Sequence, residues 1–221
     1  MTYAISDIHG CYDEFMALLE QIQFNPANDT LYVLGDAVDR GSNSIDCLTF
    51  MMETDNVHFI IGNHEQMMLD YYNGEDDMGD WDRNGNELTK AHLGELHPDI
   101  CAELFVYLRK CPYYAAVEVN RQRYFLSHAG LDASVPLEQQ PQDALIWSRE
   151  EFYKHKALDD YICVFGHTPT PYLHGTADYS VWHDKKHSDK ICIDCACVFG
   201  GALAALRLDD GEIFYVKSNN K

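Results

Sequence analysis

The 221-residue chain predicts an α/β fold: two mixed β-sheets packed face to face, helices outside, one domain over residues 1–221. Three observations carry that expectation. Strand, loop and helix alternate three times between Thr2 and Tyr71, the pattern of βαβ units in a largely parallel sheet. Strand-like segments dominate from Tyr113 onward. No internal repeat, low-complexity stretch or linker divides the chain.

The elements follow in order. Thr2 to Ser6 reads as a strand, and Phe15, Leu18, Leu19 and Ile22 give Asp13 to Ile22 the spacing of an amphipathic helix. Asn25-Pro26 with Asn28-Asp29 marks a turn before a second strand, Leu31 to Leu34. Ile45, Leu48, Phe50 and Met52 populate a second helix. Val57 to Ile61 is a third strand, and from His64 a helix runs through Met67, Met68 and Tyr71. Gly74 to Gly85 is loop-like. Leu88 to Leu96 and Ile100 to Leu108 look helical, separated by His97-Pro98. The remaining strands are Tyr114 to Val119, Arg123 to Ser127, Tyr161 to Phe165, Lys190 to Asp194, Leu203 to Leu208 and Ile213 to Val216. Asp209-Asp210-Gly211 forms a hairpin turn between the last two.

Composition narrows the function. A formal charge of −20, with only 16 Lys and Arg and no basic block, argues against a nucleic-acid or anionic-membrane surface. The start, Met1-Thr2-Tyr3-Ala4-Ile5, has no signal-peptide pattern, and no run approaches the roughly 18 apolar residues of a membrane helix. Eight cysteines then read as mostly reduced, partly buried thiols, and a cytoplasmic location is expected. A monomer is expected too.

Chemistry concentrates where strands end, the place at which parallel sheets bind ligands. The candidates are Asp7 and His9 in Asp7-Ile8-His9-Gly10, Asp36 after Leu34-Gly35, and Asn63 after Gly62. His128 in His128-Ala129-Gly130 and His167 in Gly166-His167-Thr168 come from later strands. Asp7 and His9 are two apart, so on an extended stub both point the same way. Taken singly, a strand-end Asp is a turn or cap residue, a lone His a satisfied core or surface group, and Asn63 a helix cap. Six such residues, most beside glycine, are hard to explain as turns. Oxygen and nitrogen donors of this kind suit two divalent cations. Arg40 and Arg149 are placed to hold an anion.

Ser6-Asp7-Ile8-His9-Gly10, Gly35-Asp36-Ala37-Val38-Asp39-Arg40-Gly41 and Gly62-Asn63-His64-Glu65 resemble signatures of the phosphoprotein phosphatase family of metallophosphoesterases. The likeness extends through Gln66-Met67-Met68, Trp147-Ser148-Arg149-Glu150 and Gly166-His167-Thr168-Pro169, so it covers nearly the whole chain. It is strongest toward lambda-type phage and small bacterial members. Ser6 replaces the leading glycine of the first signature. The resemblance implies a calcineurin-like β-sandwich flanked by helices. It implies one cation on Asp7, His9 and Asp36 and another on Asp36, Asn63, His128 and His167, with Asp36 bridging. Manganese is the expected metal, with iron or zinc as alternatives.

By the same resemblance, a hydroxide shared by the cations attacks phosphorus, and Arg40 and Arg149 grip the phosphoryl oxygens bidentately. His64 acts as general acid, its imidazole held by Asp39. A surface ion pair is the bland reading of Arg40, and a solvent-facing helix-start histidine that of His64. The implied substrate is a phosphoprotein or phosphopeptide, at serine or threonine and also tyrosine. Symmetrical dinucleoside tetraphosphate hydrolysis is the alternative; Asp39 and Glu65 match the protein-phosphatase versions of their motifs. A catalytically silent metal-binding partner is the third reading, and an intact His64, Asp39 and Arg40 argue against it.

Other clusters are read as structural. Cys192, Cys195 and Cys197, near His183 and His187, lack the second ligand pair of a structural zinc site and are expected in a core strand. Relatives usually carry Asp-Thr-Gly where this chain has Asp194-Cys195-Ala196. The acidic segment Glu75 to Asp82 reads as a solvated loop rather than a third metal site. No Gly-x-x-x-x-Gly-Lys or Gly-x-Gly-x-x-Gly nucleotide loop is present.

Overall fold

A computed structural model describes residues 1–76 and 78–220. The chain begins β1 (Thr2–Ile5), α1 (Tyr12–Gln21), β2 (Thr30–Leu34), α2 (Ser44–Glu53), β3 (Val57–Ile60) and α3 (Asn63–Asn73). Two more helices follow, α4 (Glu87–Glu95) and α5 (Pro98–Leu108), then a hairpin of β4 (Tyr114–Val119) and β5 (Gln122–Ser127). After α6 (Gln142–Trp147) and α7 (Glu150–Tyr153) come β6 (Ile162–Phe165), α8 (Thr170–His174), β7 (Trp182–His183) and β8 (Lys190–Cys192). The chain closes with β9 (Ala202–Arg207) and β10 (Ile213–Lys217).

The strands form two five-stranded mixed sheets, in the orders β10-β9-β1-β2-β3 and β4-β5-β6-β8-β7. In the first, β1, β2 and β3 are parallel and the β9–β10 hairpin adds antiparallel to β1. In the second, β5, β6 and β8 are parallel. Period-two alternation decides which side chains enter which layer. Tyr3 and Ile5 pack on the helix side with Phe15, Leu18 and Leu48, while Ala4 turns inward. Ala4, Leu34, Ile60, Leu126, Val164 and Leu206 fill the space between the sheets. Outside the second sheet, Phe125 and Phe165 meet Leu145, Ile146 and Phe152 from α6 and α7. Each such side chain contributes about 1.5–3 kcal/mol on full burial.

The long elements match the expected ones to within a residue or two. Additional to them are α6, α7, α8 and β7, all six residues or shorter, too short to show a period. The last expected sheet strand before β9 stops at Cys192 rather than Asp194. Cys197–Phe199 instead form a single 3₁₀ turn, entered through Ala196 at φ +56° and left through Gly200 at φ +87°. The three thiols therefore separate. Cys192 packs under α7, Cys195 between the sheets, and Cys197 on the helix side of the first sheet.

In the acidic segment, Asp76 accepts from the amides of Asp80 (2.8 Å) and Trp81 (3.4 Å). Asp77, also part of that segment, lies outside the described residues. Among the described residues, no helix is long and apolar enough to cross a membrane.

Candidate metal centre

Parallel pairing of β1, β2 and β3 sets their carboxyl-end loops side by side, and β5 and β6 deliver His128 and His167 opposite them. The loops are stitched together: His9 N donates to Asp36 O (2.8 Å), Gly10 N to Ala37 O (2.9 Å) and Gly166 N to His128 O (2.7 Å). Asp7, His9, Asp36, Asp39, Arg40 and His167 all hold φ between 46° and 73°. Such backbone costs of order 1–3 kcal/mol per residue and persists only where surroundings over-determine it. Two glycines permit the close approach. A side chain at Gly62 would collide with Asp36, and one at Gly166 with Ser6 and Asp7.

The loops enclose a cavity of about 380 Å³ lined by Asp7, His9, Asp36, Asn63, His64, His167, Arg40 and Arg149, among others. His128 and Asp39 lie directly behind it, both 0% exposed. Two groups of donor atoms lie within 4.8 Å of one another: His9, Asp36 and His64, and Asp36, His128 and His167. Asp36 belongs to both.

The donors fit cations. His128 Nδ1 faces Leu34 O at 2.8 Å, which makes it the N–H and leaves a lone pair on Nε2 of the neutral ring. That atom lies 2.8 Å from Asn63 Oδ1, 3.2 Å from His167 Nδ1 and 3.4 Å from Asp36 Oδ2. Four potential metal-donor atoms thus converge, and without a metal only a proton on an imidazole can hold them together. His9 is oriented the same way, Nδ1 facing Val38 O at 2.8 Å; its Nε2 lies 3.5 Å from Asp36 Oδ2 and also meets an Arg40 guanidinium nitrogen. His167 Nε2 is buried with no partner. The demand for positive charge shows in protonation. Burial disfavours the His128 imidazolium, but the Asp36 carboxylate overrides it and pushes His128 up to about 10.

Asp7 lines the cavity wall beside His9 and Asp36. Its two carboxylate oxygens accept from the His167 amide at 3.1 Å, Oδ2 also accepts from Ser6 Oγ, and His64 stands in the His9–Asp36 group. Burial, and then the nearby Asp194 carboxylate, raise the Asp7 carboxyl well above its usual range.

His64 is oriented by the protein rather than by solvent. Its Nδ1 lies 2.7 Å from Asp39 Oδ2, and Trp81 Nε1 donates to the same oxygen at 2.8 Å. Asp39 N is held in turn by Ser44 Oγ at 2.9 Å. His64 Nε2 is left facing the cavity, 2.9 Å from an Arg40 nitrogen. Arg149 lines the same cavity, and one of its guanidinium nitrogens meets Thr168 Oγ1 at 3.4 Å. Two cationic forks therefore flank the donor groups, an arrangement suited to phosphate.

Two residues were not given these contacts by sequence reasoning. Glu65 is 0% exposed, and its carboxylate accepts four backbone N–H bonds. Ala37 and Val38 donate to Oε1 (2.8 and 3.2 Å), Asp36 and Gly62 to Oε2 (2.9 and 3.0 Å). One side chain thus welds the second and third loops. His64 N donates to Asp36 Oδ1 at 3.1 Å, so Oδ2 is the oxygen turned toward both donor groups. Trp81, fully buried although it follows an acidic loop, is the other; a lone Trp in so polar a stretch was the available signal.

Comparison with known proteins agrees with this geometry. Residues 2–200 match the model of the calcineurin-like phosphoesterase family. Serine/threonine-protein phosphatase 1 of Salmonella typhimurium is 30% identical over 216 residues, which cover 93% of this chain and 91% of that enzyme. A symmetrical bis(5'-nucleosyl)-tetraphosphatase of Erwinia tasmaniensis is 38% identical over 132 residues, but these are 59% of this chain and 44% of that enzyme's length. A crystal structure provisionally described as a diadenosine tetraphosphatase superposes with a TM-score of 0.74 at 21% identity, covering 100% of this chain and 94% of that one. At that identity the superposition speaks for the fold alone. Two mixed sheets, strand-end loops converging on paired donor groups, and a family match over most of the sequence lead to one assignment: the chain belongs to the calcineurin-like phosphoesterase family.

Proposed function

We propose that this chain is a two-metal phosphomonoesterase of phosphoproteins, acting on phosphoserine and phosphothreonine and also on phosphotyrosine, in the cytoplasm and as a monomer. The observation that carries the reading is the pairing of His64 with Asp39. A carboxylate on Nδ1 holds the ring with Nε2 toward the cavity; that atom accepts from Arg40 in the neutral ring and presents a proton to the leaving oxygen as the imidazolium. A serine or threonine alkoxide is strongly basic and leaves poorly without that proton. The phosphate oxygen released from a dinucleoside tetraphosphate is a weak base and needs none. A dedicated acid, buttressed by Trp81, therefore favours the ester of an alcohol.

His9, Asp36, Asn63, His128 and His167 would hold the cations, with Asp7 from the cavity wall and Asp36 Oδ2 serving both; manganese is our choice, iron or zinc the alternatives. When bound, such ions supply charge for the phosphoryl oxygens and lower the pKa of water. Arg40 and Arg149, both lining the cavity, would grip the phosphate and orient the leaving oxygen toward His64 Nε2. The net charge of −20 also suits a protein substrate better than a nucleic acid or an anionic membrane.

Symmetrical dinucleoside tetraphosphate hydrolysis is the second reading, favoured by the 38% identity over part of the chain. A panel with added manganese separates the two: phosphoserine, phosphothreonine and phosphotyrosine peptides beside diadenosine tetraphosphate. Peptide turnover is expected to dominate, and a clear preference for the tetraphosphate would overturn the reading. His64→Asn should lower turnover of a phosphoserine peptide about 10²–10⁴-fold. Its effect on p-nitrophenyl phosphate, whose leaving group is good, should be far smaller. Equal losses on both, with metal content unchanged, would remove His64 as the acid.

A further inference from the structure

Beside Phe199 and Tyr172 the catalytic cavity runs into a second one of about 310 Å³, lined by Pro169, Pro171, Tyr172, Tyr179, Ala196 and Phe199. Four of the six, Pro169, Tyr172, Ala196 and Phe199, line both cavities. Among the described residues, no charged or amide side chain borders the second. Its aromatics face solvent: Tyr172 is 80% exposed and Phe199 61%. An apolar patch of this kind, rimming a polar pocket, marks a place where something binds.

The shelf is preformed. Thr170 N donates to Asp194 O at 2.8 Å, tying the short α8 segment to the loop that carries Phe199. Phe199 N and Gly201 N both donate to Ala196 O at 3.0 Å, which fixes that loop. The Arg40 guanidinium lies 5.3 Å from the Phe199 ring centroid, so the shelf begins at one of the two arginines that flank the metal-ligand groups.

We propose that the shelf takes a large apolar side chain of a polypeptide substrate, one or two residues from the phosphorylated position, and so sets sequence preference. The proposal rests on the phosphoprotein reading of the adjoining site. Continuity of the two cavities selects the occupant. A phosphate between Arg40 and Arg149 leaves its peptide to cross the shared residues, and successive Cα atoms lie about 3.8 Å apart. A nucleobase fits less well. Apart from two tyrosine hydroxyls, the lining side chains have nothing to hydrogen-bond its polar edges, which would lose water without compensation. An apolar side chain loses nothing polar and gains burial against Tyr172 and Phe199.

The test uses the whole chain with manganese and a set of phosphoserine peptides. Each position within two residues of the phosphoserine is, in turn, Ala or Phe. At one or more of these positions Phe should raise kcat/KM about tenfold or more, through KM rather than kcat. Tyr172→Ala should erase that preference and Tyr172→Phe keep it; at 80% exposure neither change threatens folding. Peptides turned over without any preference, or a preference surviving in both Tyr172→Ala and Phe199→Ala, would overturn the shelf and leave the phosphoprotein reading standing. Turnover of diadenosine tetraphosphate but of no peptide would overturn both. A Tyr172→Ala loss confined to the tetraphosphate would assign the shelf to a base and overturn the proposal.

Discussion

Two buried polar clusters in this molecule use the same residue types and reach opposite states. Around Asp36, carboxylate, imidazole and carboxamide lone pairs face one another, and no lysine reaches them among the described residues. Around Lys190 the chain supplies its own counter-charge. The fully buried ammonium meets Asp184 Oδ2 at 2.8 Å, His155 O at 2.7 Å and the Asp189 carboxylate, three acceptors for three protons. Asp184, His187 and Asp189 would pass as metal ligands by spacing alone. Acids and histidines in proximity thus mark a cation site where no protein ammonium sits among them; at Asp36 the nearest protein charge is the Arg40 guanidinium, which meets His9 and His64 rather than the carboxylate.

The sharpest way to break this contrast is to remove metal. Turnover should be abolished in a chelated sample and restored by manganese. Cation binding should also stabilise the fold, by about 2.7 kcal/mol at a hundred times the dissociation constant. Full activity in protein shown to be metal-free would end the comparison at once.

Lys190→Met probes the other cluster. It strands two buried carboxylates, and breaking a buried pair costs about 3–5 kcal/mol, readable in urea unfolding. Manganese added to this variant should bring no stabilisation beyond that of the parent. Extra rescue would mean that Asp184, His187 and Asp189 accept a cation once the lysine is gone, making the two clusters alike.

A smaller effect is expected at Glu65. Glu65→Gln puts an amide donor against backbone donors and loosens both loops that aim Asp36. Affinity for manganese, measured by calorimetry without substrate, should fall about 10–100-fold. Because Asp36 belongs to both donor groups, both binding events should weaken together. Weakening of one alone would show that Glu65 does not act through Asp36.

The last effect is the smallest. Burial would raise the Asp184 carboxyl, but its hydrogen bonds from Lys190 and from the Lys186 and His187 amides hold it well below the usual carboxylate range. A folded value below the unfolded one contributes stability that is complete above about pH 4 and is lost as pH falls further. In chelated samples, the melting temperature of Asp184→Asn should trail the parent at pH 6 and converge on it below about pH 4. A gap unchanged down to pH 2 would show that the charge of Asp184 contributes nothing.

The candidate site was unevenly legible. Asp7, His9, Asp36, Asn63, His64, His128 and His167 stood out because each follows a strand, and strand ends carry their own signal in apolar runs and glycines. The supports did not. Trp81 meets Asp39 across 42 residues, and Glu65 bonds amides 27 to 29 positions away as well as its own helix cap. No local pattern records such contacts. The shelf was equally hidden, since Tyr172 and Phe199 lie on elements too short to show a period.

By itself, the sequence determined the alternation of elements, hence the class of fold, and the residue types offered at each strand end. These follow from local physics: apolar period, backbone freedom and the donor atoms a side chain carries. Tertiary structure alone decided which groups meet, and which positive charge of the chain reaches them. It turned Asp7 toward the His167 amide and gave His64 a carboxylate and an indole to hold it. It also filled the Asp184 cluster with a lysine. The physical reason is that charge balance in a buried site is a sum over atoms brought together from distant parts of the chain, and only the folded arrangement fixes which atoms enter that sum.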